Sequence, residues 1–186
     1  FAANGRVGVG NRTYDPSDPY AEPDLLLRGD GKGRFRVVED SGADLQNPRT
    51  SRGAIFGDFD DDGGVDVVVV DRESPVRLLH NVSLGEGCWL VVDVRGPQGG
   101  AAIGAKVSVE VGDRTIHRTV RTDGSYLSAR DPRVHFGLGD LEEVPMIRIR
   151  WPDGRIREIT NQACDRILVV EHATGDLDGD RPSPTP

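Results

Sequence analysis

Asp58-Phe59-Asp60-Asp61-Asp62-Gly63-Gly64-Val65-Asp66 runs directly into Val67-Val68-Val69-Val70. Carboxylates at loop positions one, three, five and nine crowd negative charge into nine residues, and that self-repulsion favours a bound hard cation accepting several oxygens. The side chains of Asp58, Asp60, Asp62 and Asp66 are the candidate ligands, and the carbonyl of Gly64, at position seven, supplies a fifth oxygen. Calcium is the expected ion. The glycine pair Gly63-Gly64 is expected to provide the positive φ values that a tight cation-wrapping turn requires. A helix-flanked calcium loop would need Glu at position twelve, but that position is Val69, within a β-branched run. The loop is therefore expected between strands.

Working outward, the chain is rich in strand and turn signals. Its 186 residues include 24 Gly and 12 Pro, and its apolar runs are short and separated by turn residues. Phe1 to Gly10 reads as a short strand with an Asn-Gly turn. Leu25-Leu26-Leu27 and Arg34-Phe35-Arg36-Val37-Val38 flank a glycine-rich turn and predict a β-hairpin. That turn holds an Arg28-Gly29-Asp30 triplet, read here as ordinary hairpin-turn chemistry. Val76 to His80 follows the acidic loop's strand as another strand. Further on, strands are expected at Cys88 to Val94, Lys106 to Val111, Arg114 to Arg121, Met146 to Trp151, Arg155 to Thr160 and Arg166 to Glu171. The fold class is all-β, with the second half an antiparallel sandwich or barrel-like module.

Charge separates the same two regions. Residues 1–87 carry a net charge of −6, residues 88–171 are neutral, and the whole chain is −8. Neither half is basic overall, which argues against general attraction to nucleic acid or to an anionic membrane. No stretch reaches the roughly 18 apolar residues of a membrane span. Cys88 and Cys164 each begin an apolar run. A disulfide and two buried thiols both remain open.

Gly57-Asp58-Phe59-Asp60-Asp61-Asp62-Gly63 followed by Val65-Asp66-Val67-Val68-Val69 resembles an FG-GAP repeat, also called a VCBS repeat, the blade unit of integrin-type β-propellers. The resemblance implies calcium held by Asp58, Asp60, Asp62, Gly64 and Asp66. Leu25 to Val38 resembles the outer hairpin of a preceding blade, without its full acidic loop. One to two blades cannot close a propeller, so earlier blades are expected outside this chain. Ala102-Ile103-Gly104-Ala105-Lys106-Val107, Gly124-Ser125-Tyr126-Leu127-Ser128, His135-Phe136-Gly137-Leu138-Gly139 and Trp151-Pro152-Asp153-Gly154 resemble the ASPIC/UnbV domain, in that family's order. The combination is similar to the cartilage acidic protein-like family. It implies two parts, residues 1–83 as an incomplete propeller segment and 84–172 as the ASPIC/UnbV domain, while the Pro-rich composition of 173–186 reads as a disordered Asp/Pro-rich tail.

The function implied is a non-catalytic calcium-binding interaction or adhesion scaffold at an extracellular, periplasmic or cell-surface location, with an extracellular protein or glycan as partner. The second class is an accessory or small-molecule-binding factor in natural-product biosynthesis, after the UnbV name. A third is binding of nucleic acid or anionic polysaccharide through the Arg-bearing strands Arg114 to Arg121 and Arg148 to Trp151, with an aromatic beside a basic face. No catalytic residue is assigned. Gly99 to Lys106 fails as a phosphate loop because Ala105 separates Gly104 from Lys106 and a strand follows. His135 reads as a structural residue in an apolar turn, and Gly124-Ser125-Tyr126 as a turn into a strand. His80, His117 and His172 show no zinc spacing. Asp176, Asp178 and Asp180 repeat the acidic spacing weakly, as a lesser second calcium candidate.

Overall fold

The computed structural model describes residues 1–8, 16–82 and 87–173. The tail and its Asp176 to Asp180 cluster lie outside these. Among the described residues there are twelve strands and no helix, so no helix is long and apolar enough to cross a membrane. The chain forms two compact units. One comprises Phe1–Gly85 with Thr122–Asp131, the other Glu86–Arg121 with Pro132–Pro186.

In the first unit, β1 (Leu27–Gly29) and β2 (Phe35–Val37) form the expected antiparallel hairpin. Asp30 closes its turn, with one carboxylate oxygen accepting the N–H groups of Lys32 at 2.7 Å and Arg34 at 3.1 Å. β3 (Ser51–Gly57), β4 (Asp66–Asp71) and β5 (Arg77–Leu79) make an antiparallel sheet in sequence order. The Val67–Val70 run forms its central strand because β-branched side chains suit the pleated surface, and Val69 is fully buried. The N-terminal segment differs from its expected strand. Only isolated bridges, Ala2 to Leu25 and Gly5 to Ala21, tie it down.

Much of what this unit buries is polar. Asp24, Ser51 and Asp71 are buried together, and the Arg77 guanidinium joins them through Asp24 at 2.6 Å and Asp71 at 2.8 Å. The Ser51 hydroxyl donates to Asp71 at 2.7 Å, and the Asn4 N–H donates to Asp24 at 2.8 Å. Burial raises the Asp71 carboxyl, but hydrogen bonds from Arg77 and Ser51 and the Arg77 charge overcome it and hold Asp71 below the ordinary carboxylate range. Burial likewise lowers Arg77, and its two carboxylate partners more than reverse that.

The second unit is a two-sheet sandwich. One sheet runs in the order β11 (Ile156–Ala163), β10 (Glu143–Arg150), β7 (Lys106–Val111), β8 (Arg114–Thr119). The other is β12 (Arg166–Val170), β6 (Cys88–Val94), β9 (Val134–Gly139). Inward residues from both build one apolar core, including Leu90, Val92, Val107, Val109, Phe136, Ile147, Ile149 and Val170. The two sheets do not close into a barrel.

Three readings from sequence are corrected here. His135 lies in strand β9, because the alternation Val134, Phe136, Leu138 buries one face. Gly124-Ser125-Tyr126 leads to no strand; the segment folds back on itself through a Ser125 to Ser128 bridge within the first unit. β12 pairs with β6 in parallel, an exception to the otherwise antiparallel pairing of the named strands. Cys88 and Cys164 form a disulfide, with Cα atoms 5.2 Å apart across 76 positions of sequence. β6 begins at Cys88 and the turn before β12 holds Cys164, so parallel pairing of those strands brings the thiols together.

Candidate metal centre

Gly57 and Asp66 pair across β3 and β4, so residues 58–65 form the loop of a hairpin, as expected. The loop closes on its own carboxylates. Asp58 accepts the N–H groups of Asp62 at 3.1 Å and Gly63 at 2.9 Å, one on each oxygen. Asp62 accepts the Gly64 N–H at 2.7 Å. Asp66 accepts the Phe59 N–H at 3.2 Å on one oxygen and the Asn81 N–H at 2.7 Å on the other. These bonds turn short polar side chains into the scaffold of the loop.

The backbone route differs from the one expected. Gly63 takes a positive φ of 91°, but the second such position is Asp61, at 59°, and not Gly64. Asp tolerates this left-handed region better than most residues. Space at Gly64 is tight: a Cβ there would stand 3.0 Å from an Asp62 oxygen and 3.1 Å from the Asn81 carbonyl oxygen, so these neighbours would have to shift by a few tenths of an ångström.

The ligand atoms fall into two overlapping sets. Asp58, Asp60 and Asp62 place an oxygen each within 4.8 Å of one another, and so do Asp60 and Asp66 with a nitrogen of His80. Asp60 belongs to both. Ligands on opposite sides of a calcium ion, at about 2.3–2.6 Å each, stand about 5 Å apart, so both sets lie within reach of a hard divalent cation. Asp58 and Asp66 are buried, whereas the Asp60 side chain is 47% exposed and open to solvent. The donor set, with four carboxylates in one loop, fits a hard divalent cation such as calcium. All four predicted Asp ligands are thus gathered at one end of the β3–β4 hairpin.

His80 was missed as a member of this site. Its Nδ1 lies 3.1 Å from an Asp66 oxygen and its Nε2 lies 3.8 Å from Asp60. The signal was the β4–β5 register: Val67 opposite Leu79 places residue 80 opposite residue 66. Burial pushes the Asp66 carboxyl up, yet the N–H groups of Asn81 and Phe59 and the His80 ring outweigh it, holding Asp66 below the ordinary carboxylate range. An ionised Asp66 is the form a cation needs.

The other histidines sit elsewhere. His135 stacks on Trp89, His117 bonds the Ser108 hydroxyl at 2.8 Å, and buried His172 bonds Asp153 at 2.8 Å. The aromatic expected beside the basic strand face is corrected. Trp151 is buried and its indole N–H donates to the Arg95 carbonyl, while Arg118 lies over the Phe136 ring on the side of Ile116.

Residues 96–177 match the ASPIC and UnbV family model. The four motif stretches from Ala102 to Gly154 that resemble this domain all fall inside the match. The chain is also similar to three proteins named cartilage acidic protein 1. It is 29% identical to the one from Xenopus tropicalis over 180 residues, 92% of this chain. It is 32% identical to those from Mus musculus and Homo sapiens over 124 residues, 63% of this chain. The matched region spans a quarter of the Xenopus protein and 19% of each of the other two.

Proposed function

We propose that this chain is a non-catalytic extracellular scaffold in which calcium stiffens one loop of a propeller-type blade. The observation that carries the reading is the pair of overlapping ligand sets, Asp58–Asp60–Asp62 and Asp60–Asp66–His80, sharing Asp60 at the mouth of a strand hairpin. Calcium would be held by the carboxylates of Asp58, Asp60, Asp62 and Asp66 and the Gly64 carbonyl, with His80 orienting Asp66. It would neutralise the loop's charge and tie β3 to β4. Its role is structural, and the partner is an extracellular protein or glycan.

Two observations support the location. The Cys88–Cys164 disulfide suits an oxidising compartment. The relatives are named for cartilage. Extracellular modules bind calcium at about 0.1–1 mM, so such a loop fills outside a cell and empties inside one.

The test is the thermal midpoint of the first unit in 2 mM calcium and in chelator, followed by near-UV circular dichroism. The tyrosines of the described residues, Tyr20 and Tyr126, both belong to this unit. Ligand linkage at about 0.1–1 mM affinity gives roughly 1 kcal/mol, or about 4–8 °C for a unit of this size. Asp60→Ala should remove the gain. Identical midpoints with calcium and with chelator would overturn the reading.

A further inference from the structure

The outer face of the sheet β11–β10–β7–β8 carries charge where its inner face carries the core. Val107, Val109, Ile147 and Ile149 point inward and are fully buried. Strand alternation therefore places Lys106, Ser108, Glu110, Arg148 and Arg150 on the opposite side, with the acidic Glu110 at the far end of β7 from Lys106. Register sets Arg150 directly opposite Lys106, and Arg148 opposite Ser108. Lys106 in turn faces Thr119 and Ser108 faces His117 on β8.

The cations differ in how they are neutralised. Arg148 pairs with Glu158 at 2.5 Å. The side chains of Lys106 and Arg150 have no ion pair or hydrogen bond among the described residues, and both residues are exposed. Like charges directly opposite on an antiparallel pair destabilise it, and their Cβ atoms stand only about 4.5–5.5 Å apart. An anion bridging the two would turn that repulsion into attraction.

We propose that this face docks an anionic polysaccharide, with Lys106 and Arg150 gripping one sulfate or carboxylate group between them. The flanking Thr119 hydroxyl, opposite Lys106, supplies a hydrogen bond to a sugar or sulfate oxygen. A single-stranded nucleic acid is the weaker fit. Its bases want aromatic platforms, and the outer-face positions of these four strands hold no Phe, Tyr or Trp. The disulfide in the same unit also suits compartments where the abundant polyanions are glycans. The chain's net charge of −8 does not prevent the contact, because charges beyond about 8 Å are screened at physiological ionic strength. The proposal uses residues of the second unit alone and is independent of calcium in the first.

The test is retention of the full chain on immobilised heparin at pH 7.4, eluted with a salt gradient. The wild-type chain should bind at low salt. The double variant Lys106→Gln with Arg150→Gln should elute much earlier, its log–log salt slope reduced by about two as two counterion-releasing contacts are lost. Glu110→Lys, a substitution on the same face, should elute later and guards against a folding artefact. The matched control is Arg28→Gln with Arg36→Gln, which removes a like-charged cross-strand pair from the β1–β2 hairpin and should leave retention unchanged. Tryptophan fluorescence verifies that each variant is folded. Failure of the wild-type chain to bind, equal elution of wild type and the Lys106/Arg150 variant, or an equal loss in the control would overturn the proposal. Displacement by single-stranded DNA as effective as by soluble heparin would overturn the choice of polysaccharide.

Discussion

The two units solve the problem of holding a β-structure together in opposite ways. In the second, the buried set is almost wholly apolar, drawn from both sheets around Phe136, Ile147 and Ile149, and closed by a disulfide. In the first, the buried apolar residues of the described chain are Ala21, Leu45, Ala54 and Val69, outnumbered by Asp24, Thr50, Ser51, Asp58, Asp66 and Asp71. Apolar burial is non-directional and tolerates small displacements. Buried carboxylates do not: each needs its own N–H groups, guanidinium or cation, because an unpaired buried charge is costly. The first unit is accordingly a structure whose stability depends on partners and solution conditions, and the second one whose stability depends on packing.

That contrast can be tested with separate probes, since Trp89 and Trp151 both lie in the second unit and Tyr20 and Tyr126 in the first. The largest effect should come from the disulfide. Replacing Cys88 and Cys164 with Ala frees a loop of 76 positions, which the chain-entropy account converts to about 4.5 kcal/mol. Urea unfolding followed by tryptophan fluorescence should show this loss, with the tyrosine signal little changed. Equal losses in both signals would mean the units do not unfold separately.

A somewhat smaller effect is expected in the opposite unit. Arg77→Met leaves Asp24 and Asp71 buried without their cation and should lower the first unit's stability by about 3 kcal/mol or more. Adding Asp71→Asn should recover part of it, a partial reversal that simple loss of the Arg77 side-chain packing would not produce. Tyrosine circular dichroism in urea reads both variants.

Acid should give the smallest and most graded difference. Asp66 and Asp71 are held below the ordinary carboxylate value of about 3.9. Their contribution is complete above that unfolded-state value and is lost as pH falls through the lower folded values. In chelator, the first unit's midpoint should therefore drop steeply below about pH 4. The second unit's corresponding group is Asp153, where burial acts upward but the Arg155 N–H and His172 hold it low. Asp153 is substantially exposed, so solvent screening makes its share small and the tryptophan midpoint should move less. A tryptophan transition that leads the tyrosine one on acidification would contradict the assignment.

How far the chain could be read from residues alone follows the same division. Lys106–Val111 and Cys88–Val94 were legible to the residue, because strict alternation in the first and an apolar run in the second are local signals. β9 was not, because His135 and Gly137 interrupt its apolar positions with turn-like residues, and only burial of Val134, Phe136 and Leu138 reveals the face. In the candidate site the four Asp ligands were legible from spacing within nine residues. His80 was not, since it reaches Asp66 from another strand.

Local order along the chain thus determined the all-β character, the hairpin around the acidic loop and the candidate ligands, because backbone alternation and turn geometry act over a few residues. Tertiary structure alone decided that Cys88 meets Cys164, that Arg77 joins Asp24 to Asp71, and that Lys106 stands opposite Arg150. Each of these depends on strand order and register. Those are set by which faces can be buried together, a condition that no single stretch of sequence contains.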